Sequence, residues 1–222
     1  MAEGRFITIE GGEGAGKSTQ IRLLCETLRS RGIDVLATRE PGGSAGAEEI
    51  RALLVSGDPG RWDPMTELLL HVAARRDHLV RTVWPALRQG RWVVSDRFAD
   101  SSMAYQGYGH GIARDVVEQV HAHVIGAFRP DLTVVLDVPA ATGMARARAR
   151  QGDAPAIGHR IEDRYENMDR AFHERLREGF LDIAAREPER CVVIDAVRPV
   201  DEVHAAVTAA VERLFERKDP SA

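Results

Sequence analysis

A chain of 222 residues is long enough for one well-packed domain with a small inserted lid, and too short for two full ones. Its 44% hydrophobic and 29% charged residues exclude a disordered or fibrous chain, and a formal charge of −4 argues against a nucleic-acid coat or a membrane-surface protein, both of which carry a basic excess. Two cysteines, Cys25 and Cys191, suit free thiols in a reducing compartment; with no signal-peptide pattern and no run near the roughly 20 apolar residues that span a bilayer, a cytoplasmic protein is expected.

Short apolar runs alternate with segments of helical period, the pattern of an α/β fold whose parallel sheet is covered on both faces. The first run, Phe6 to Ile9, is followed by a helix from Lys17 to about Arg31, in which Ile21, Leu24, Cys25 and Leu28 share one face and Gly32 closes the end. A strand at Val35–Thr38 precedes a helix at Ala47–Val55. A long helix at Met65–Arg88 should be broken or kinked by Pro85. Strands are then predicted at Trp92–Ser95, Leu132–Leu136 and Val192–Ile194, and helices at Val116–Phe128, Ala140–Arg150, Ile161–Arg186 and Val200–Arg217. Five parallel strands result. Residues 151–158 are turn-rich and long enough to form a flap, so one domain over 1–222 with a lid at about 148–162 is expected.

Gly11-Gly12-Glu13-Gly14-Ala15-Gly16-Lys17-Ser18 fits G-x-x-x-x-G-K-[ST], between an apolar strand and an amphipathic helix. Glycines let the backbone curl with its N–H groups inward, and the helix N-terminus adds partial positive charge, so the loop through Thr19 is a triphosphate cradle. Lys17 is one of only two lysines in a chain with 28 arginines. Its compact ammonium can reach the β- and γ-phosphates, while the Ser18 hydroxyl can bind Mg²⁺. The motif specifies ATP or a similar triphosphate without saying what is done with it.

Two apolar strands end in acids, Asp96 and Asp137, at the edge where open α/β sheets bind ligands. Arg97 follows Asp96, which makes that pair a candidate metal and phosphate site; Asp137 reads as structural. Thr38-Arg39-Glu40-Pro41-Gly42-Gly43 is either a polar turn or a phosphate or sugar pocket built on Arg39 and the glycine backbone. Arg146, Arg148 and Arg150 before the flap, with Arg160 and Arg164 after it, form either a solvated face or charge that closure would bring to a transferring group. The eight histidines show no metal-ligand spacing.

Together the stretches Ile9–Thr19, Thr38–Gly43, Ala73-Ala74-Arg75, Ser95–Phe98, Ala104–Gly107 and Arg129–Thr133 resemble the bacterial thymidylate kinases. The resemblance implies a three-layer P-loop kinase fold and transfer of the ATP γ-phosphoryl group to dTMP, with Mg²⁺, in dTTP synthesis. It implies that Glu13 orients the acceptor sugar, that Asp96 and Arg97 serve the metal shell and acceptor phosphate, and that Arg75 contacts thymine. Ser102 and Gln106 would line the base pocket, and Tyr105 would stand where a ribose 2′-hydroxyl falls. Glycine at position 14 places the chain with members whose catalytic arginine lies in the flap, here Arg150 or Arg160. Four residues before Arg75, where the family has a stacking phenylalanine, stands His71; either its imidazole stacks on the base or Val72 takes the contact. The resemblance also implies a homodimer.

Two other functions share part of this pattern. A kinase for another nucleotide or nucleoside would share the loop and the Asp96–Arg97 pair. A GTP-dependent switch would read guanine with Asn-Lys-x-Asp, but the lone asparagine, Asn167, precedes Met168.

Overall fold

The computed structural model describes residues 4–58, 60–152, 164–165 and 168–216, without side chains at 150–152 and 216. Five strands, β1 (Phe6–Glu10), β2 (Val35–Arg39), β3 (Trp92–Asp96), β4 (Leu132–Asp137) and β5 (Cys191–Asp195), form a parallel sheet in the order β2-β3-β1-β4-β5. Each of the five extends one residue past its predicted carboxyl end, and β5 also begins one residue earlier. The central strand β1 is buried at all five positions, which is why its sequence is apolar rather than alternating. The edge strands β2 and β5 are half-exposed and interrupt their apolar runs accordingly.

Helices α1 (Lys17–Ser30) and α9 (Val200–Glu216) cover one face of the sheet. Ile7, Ile9, Leu24, Val94, Val134 and Val207 form the core there, all fully buried. The opposite face is covered in two sections. Phe6, Val93 and Phe98 pack with Leu79 and Val83, and Val135 packs with Leu68, Phe172, Leu176 and Phe180. The remaining helices are α2 (Ala45–Leu54), α3 (Pro64–His78), α4 (Trp84–Arg88), α5 (Ala99–Ser102), α6 (Arg114–Ile125), α7 (Ala140–Gly152) and α8 (Arg170–Arg186).

The long helix expected at Met65–Arg88 is three pieces. Asp63 opens α3 by accepting from the N–H groups of Met65 (3.0 Å) and Thr66 (3.2 Å), with Pro64 in the first turn. A π-helical turn at Leu79–Val83 then leads into α4. Pro85 has no N–H to continue the ladder and its ring crowds the carbonyl four residues back; the wider turn relieves both problems without ending the helix.

The helix predicted from Ile161 begins only at Arg170. Asp169 caps it through the Phe172 N–H (2.7 Å), and Arg164 and Tyr165 lie in a turn. The guanidinium of Arg164 is drawn to the carbonyls of Leu54 and Asp58 at 3.1 Å, which binds this turn to the end of α2. Sequence periodicity gave no element at 99–109, where α5 runs into a second π-helical segment, Met103–Gly109. Of the expected lid at 148–162, residues 148–152 continue α7 and the rest lies outside the described residues.

Candidate active site

Parallel register places the carboxyl ends of the strands on one edge: Ile9 is level with Asp96, Glu10 with Val135, and Arg39 with Asp96. The glycine loop leaves β1 there and enters α1, whose N-cap Gly16 has φ 89°. Lys17 is buried, and its ammonium donates to the carbonyls of Gly11 (3.2 Å) and Gly12 (2.9 Å), at the mouth of the loop. Burial and the nearby Arg97 charge lower its pKa, against the pull of Glu13, Asp96 and Glu10. Ala15 is buried beneath the loop, while Ser18 and Thr19 are exposed on the first turn of α1.

Gly14 has φ 68°, and a Cβ there would lie 2.1 Å from the carbonyl oxygen of Gly143 in α7. The loop and α7 touch backbone to backbone, so position 14 has no room for a side chain.

The hydroxyl of Ser18 donates to Asp96 Oδ2 at 3.5 Å, and Asp96 Oδ1 is buried with no partner among the described residues. Hydroxyl and carboxylate oxygens beside a phosphate cradle are the donor set of Mg²⁺, which is held by few protein ligands together with phosphate and water. No cluster of three or more His, Cys, Asp or Glu residues that could hold a metal by itself occurs among the described residues. Asp137 forms a paired contact to Arg177 (2.7 and 2.8 Å), in line with its structural reading.

Arg97 is a non-glycine residue with φ 69°, a costly backbone position. Its turn is held from below by Glu10, a residue the sequence reading did not single out. Glu10 Oε1 accepts from the Phe98 N–H (2.7 Å), and Oε2 bonds to the Ser101 hydroxyl (2.6 Å). Complete burial, then the neighbouring Asp100 charge, pushes the Glu10 carboxyl up to about 8. So held, the Arg97 guanidinium donates to the Gly11 carbonyl (2.9 Å) and to Glu13 (2.8 Å), with its plane over the Tyr105 ring at 5.0 Å. Tyr105 donates to the same Glu13 oxygen at 2.6 Å. Burial would raise the Glu13 pKa, but Arg97, Lys17 and Tyr105 outweigh it and hold it down to about 2.

Beyond this cluster opens a cleft of about 690 Å³, counting space open to solvent, with Arg97, Arg75, Ser102, Tyr105, Gln106 and His71 in its walls. Arg75 is buried. It donates to Glu40 (2.7 Å), the Ser102 hydroxyl (3.1 Å) and the Phe98 carbonyl (2.9 Å), and meets His121 Nε2 at 3.1 Å. Burial and the Arg75 charge lower the His121 pKa to about 3, so its imidazole is neutral and can accept. Glu40 is in turn bonded to His78 (2.9 Å).

The π-helical segment 103–109 carries Tyr105 and Gln106 into the cleft beside Ser102, the last residue of α5. Of the two residues open to the base, His71 lines the cleft and Val72 belongs to the core beside Leu68. His71 Nε2 is 2.8 Å from the Tyr165 hydroxyl; burial lowers its pKa to about 4, so the ring is neutral.

One predicted residue is not brought in. Arg39 is exposed, paired with Glu48 at 3.1 Å, and lies outside the cleft, because the alternation of an edge strand turns it away. Arg51 of α2 lines the cleft instead. Arg150 stands on α7 with its side chain outside the described residues, and Arg160 lies outside them altogether. Sequence reasoning also missed Glu40, Glu67, Arg51, His121 and Tyr165. A signal for some existed: Glu67, His71, Arg75 and His78 recur every three or four residues, a polar stripe on one face of α3.

Comparison with known proteins places this site in a family. The thymidylate kinase family model matches residues 9–207. A thymidylate kinase of Caulobacter vibrioides is 53% identical over 96% of this chain and 99% of its own length. One from Dinoroseobacter shibae is 55% identical over 93% of this chain and 95% of its own. The crystal structure of the thymidylate kinase from Ehrlichia chaffeensis superposes with a TM-score of 0.73, at 36% identity, over 94% of this chain and 99% of that one. With the glycine loop, the Asp96–Arg97 turn and the cleft beside them, and with likeness of this extent, the chain belongs to the thymidylate kinase family.

Proposed function

We infer that this protein transfers the γ-phosphoryl group of ATP to dTMP, giving dTDP and ADP. The observation that supports this reading best is the position of Arg97. One guanidinium nitrogen is bonded to the phosphate-loop carbonyl of Gly11, another to Glu13, and the side chain lines the acceptor cleft. Donor and acceptor phosphates would therefore meet across a single cation.

The acceptor phosphate is itself the nucleophile, so the protein's task is to align two polyanions and oppose their charge. The loop amides and Lys17 hold the β- and γ-phosphates, and Arg97 holds the acceptor phosphate. Ser18 and Asp96 would hold Mg²⁺, which would supply neutralisation of the charge on the triphosphate. Glu13, ionised by its cationic neighbours, is the acceptor for the sugar hydroxyl. Arg75, Ser102, Gln106 and His71 surround the base, and Tyr105, fixed by Glu13, occupies the side of the sugar where a 2′-hydroxyl would project.

Charge on the transferring group in the transition state is assigned to Arg150 or Arg160. The support is the contact of Gly14 with Gly143, which leaves the loop no room for an arginine at 14. A second copy of the chain is the partner that fits the outer side of α3, where Met65 and Leu69 are exposed, joined by Val80 and by Leu53 of α2. Two buried free cysteines suit the cytoplasm, and no described helix is long and apolar enough to cross a membrane.

A coupled assay with ATP and a panel of dTMP, dUMP, dGMP, AMP and thymidine tests the assignment. dTMP should give the highest kcat/KM. GTP hydrolysis without acceptor-dependent turnover would contradict it. With ribothymidine monophosphate added to the panel, Tyr105→Ala should raise its use relative to dTMP, and an unchanged ratio would remove Tyr105 from sugar discrimination.

A further inference from the structure

Glu67 lies on the buried stripe of α3 without a place in the mechanism above, and both of its oxygens are taken. Oε1 accepts from Gln106 Nε2 at 2.8 Å, with His110 Nε2 3.3 Å away. Oε2 accepts from Arg164. Arg164 is itself fully buried and also donates to the carbonyls of Leu54 and Asp58, so the pair joins the end of α2, the start of α3 and the turn before α8. Burial would push the Glu67 carboxyl up, but the nearby His110 imidazole, the Gln106 hydrogen bond and the Arg164 charge outweigh it and hold it down to about 2.

An ionised carboxylate can only accept hydrogen bonds. Gln106 must therefore turn its NH₂ toward Glu67. Its carbonyl Oε1 is left buried, with no partner among the described residues, on a side chain that lines the cleft. A buried acceptor of this kind favours a ligand edge that brings a donor and penalises one that brings a second acceptor.

We propose that the Glu67–Arg164 pair is a positioning device that sets the hydrogen-bonding polarity of the base pocket. Acting through Gln106, it selects pyrimidines whose ring nitrogen N3 carries hydrogen, thymine and uracil, over those whose N3 is an acceptor, cytosine. Neither Glu67 nor Arg164 touches the base. The inference rests on the cleft being a pyrimidine nucleotide site.

Arg164 dictates the outcome of an isosteric change. In Glu67→Gln the buried guanidinium still requires an acceptor, so the new amide turns its oxygen to Arg164 and its NH₂ to Gln106. Gln106 then rotates to present its own NH₂ to the cleft. The test compares kcat/KM for dTMP and for 5-methyl-dCMP, which differ only at N3 and C4, in wild type, Glu67→Gln and Gln106→Leu, with circular dichroism melts for each. Wild type should prefer dTMP, and in Glu67→Gln the preference should fall at least tenfold whatever the loss in overall rate. Gln106→Leu, which leaves the ion pair in place, should lower the preference without improving use of 5-methyl-dCMP. A merely structural Glu67 would lower both rates together. A folded Glu67→Gln with the wild-type ratio overturns the proposal; if that variant does not fold, an unchanged ratio in Gln106→Leu overturns it equally. Wild-type turnover of neither nucleotide would overturn the reading of the cleft itself.

Discussion

At Lys17 the kind of charge matters as much as its sign. The ammonium sits among loop carbonyls, buried, where a planar guanidinium could not approach without displacing the backbone it bonds to. Lys17→Ala is expected to lower kcat by about 10²-fold or more, measured at saturating dTMP, on the scale of removing one preorganised donor to a developing charge. A loss under tenfold would take Lys17 out of the chemistry. Gly14 shows the opposite constraint, where a side chain is excluded. Gly14→Ala should lower the melting temperature, because the added methyl group meets the Gly143 carbonyl at 2.1 Å and the backbone keeps φ 68°. A cost of about 1–3 kcal/mol corresponds to several degrees for a domain of this size. A melt unchanged within a degree would mean that α7 moves aside freely.

At the scale of elements, α3 buries polar and apolar side chains together. Glu67, Arg75 and His78 are buried, as are Leu68 and Val72, while Leu69 is 52% exposed on the outer side. The buried polar groups are satisfied by Arg164, Gln106 and Glu40, and the outer side is the one we assign to a second copy. Leu69→Glu should shift the chain from dimer to monomer in sedimentation equilibrium; an unaltered mass would move the interface elsewhere. The π-helical segments have different origins. The one at Leu79–Val83 answers to Pro85 and is legible once the proline is noticed. The one at Met103–Gly109 has no comparable local signal, since Gly107 and Gly109 weaken any helical reading. Its shape is decided by α8, where Gly109 meets the Phe172 ring and Tyr108 fits over Gly179.

For the whole molecule, buried titrating groups predict a stability maximum near pH 6.5. Glu10 is pushed to about 8, so between about 4.3, its unfolded value, and 8 the folded state holds the extra proton, and stability falls as pH rises through that window. His71 and His121 have folded values of about 4 and about 3, below the unfolded value of about 6.5, so the unfolded state binds protons first and stability falls as pH drops below 6.5. Melting temperatures from pH 5 to 9 should therefore peak near neutrality, and Glu10→Gln should flatten the decline on the alkaline side. A variant that declines as steeply as wild type would show that Glu10 is already ionised at neutral pH.

What the sequence determined by itself was everything carried by short-range pattern: five apolar runs for a parallel sheet, the helical periods between them, the phosphate loop, and the Asp96–Arg97 pair at a strand end. Each follows from steric and hydrogen-bonding rules that act within a few residues, so neighbours along the chain suffice to express it. Tertiary structure alone decided which distant charges meet. Arg39 and Arg164 look alike in sequence, yet one faces solvent beside Glu48 and the other is sealed against Glu67 across 97 positions. Glu10 reads as the tail of a strand until the turn after β3 descends onto it. A buried charge must find its partner in space, and a partner so far along the chain leaves no mark on the local pattern.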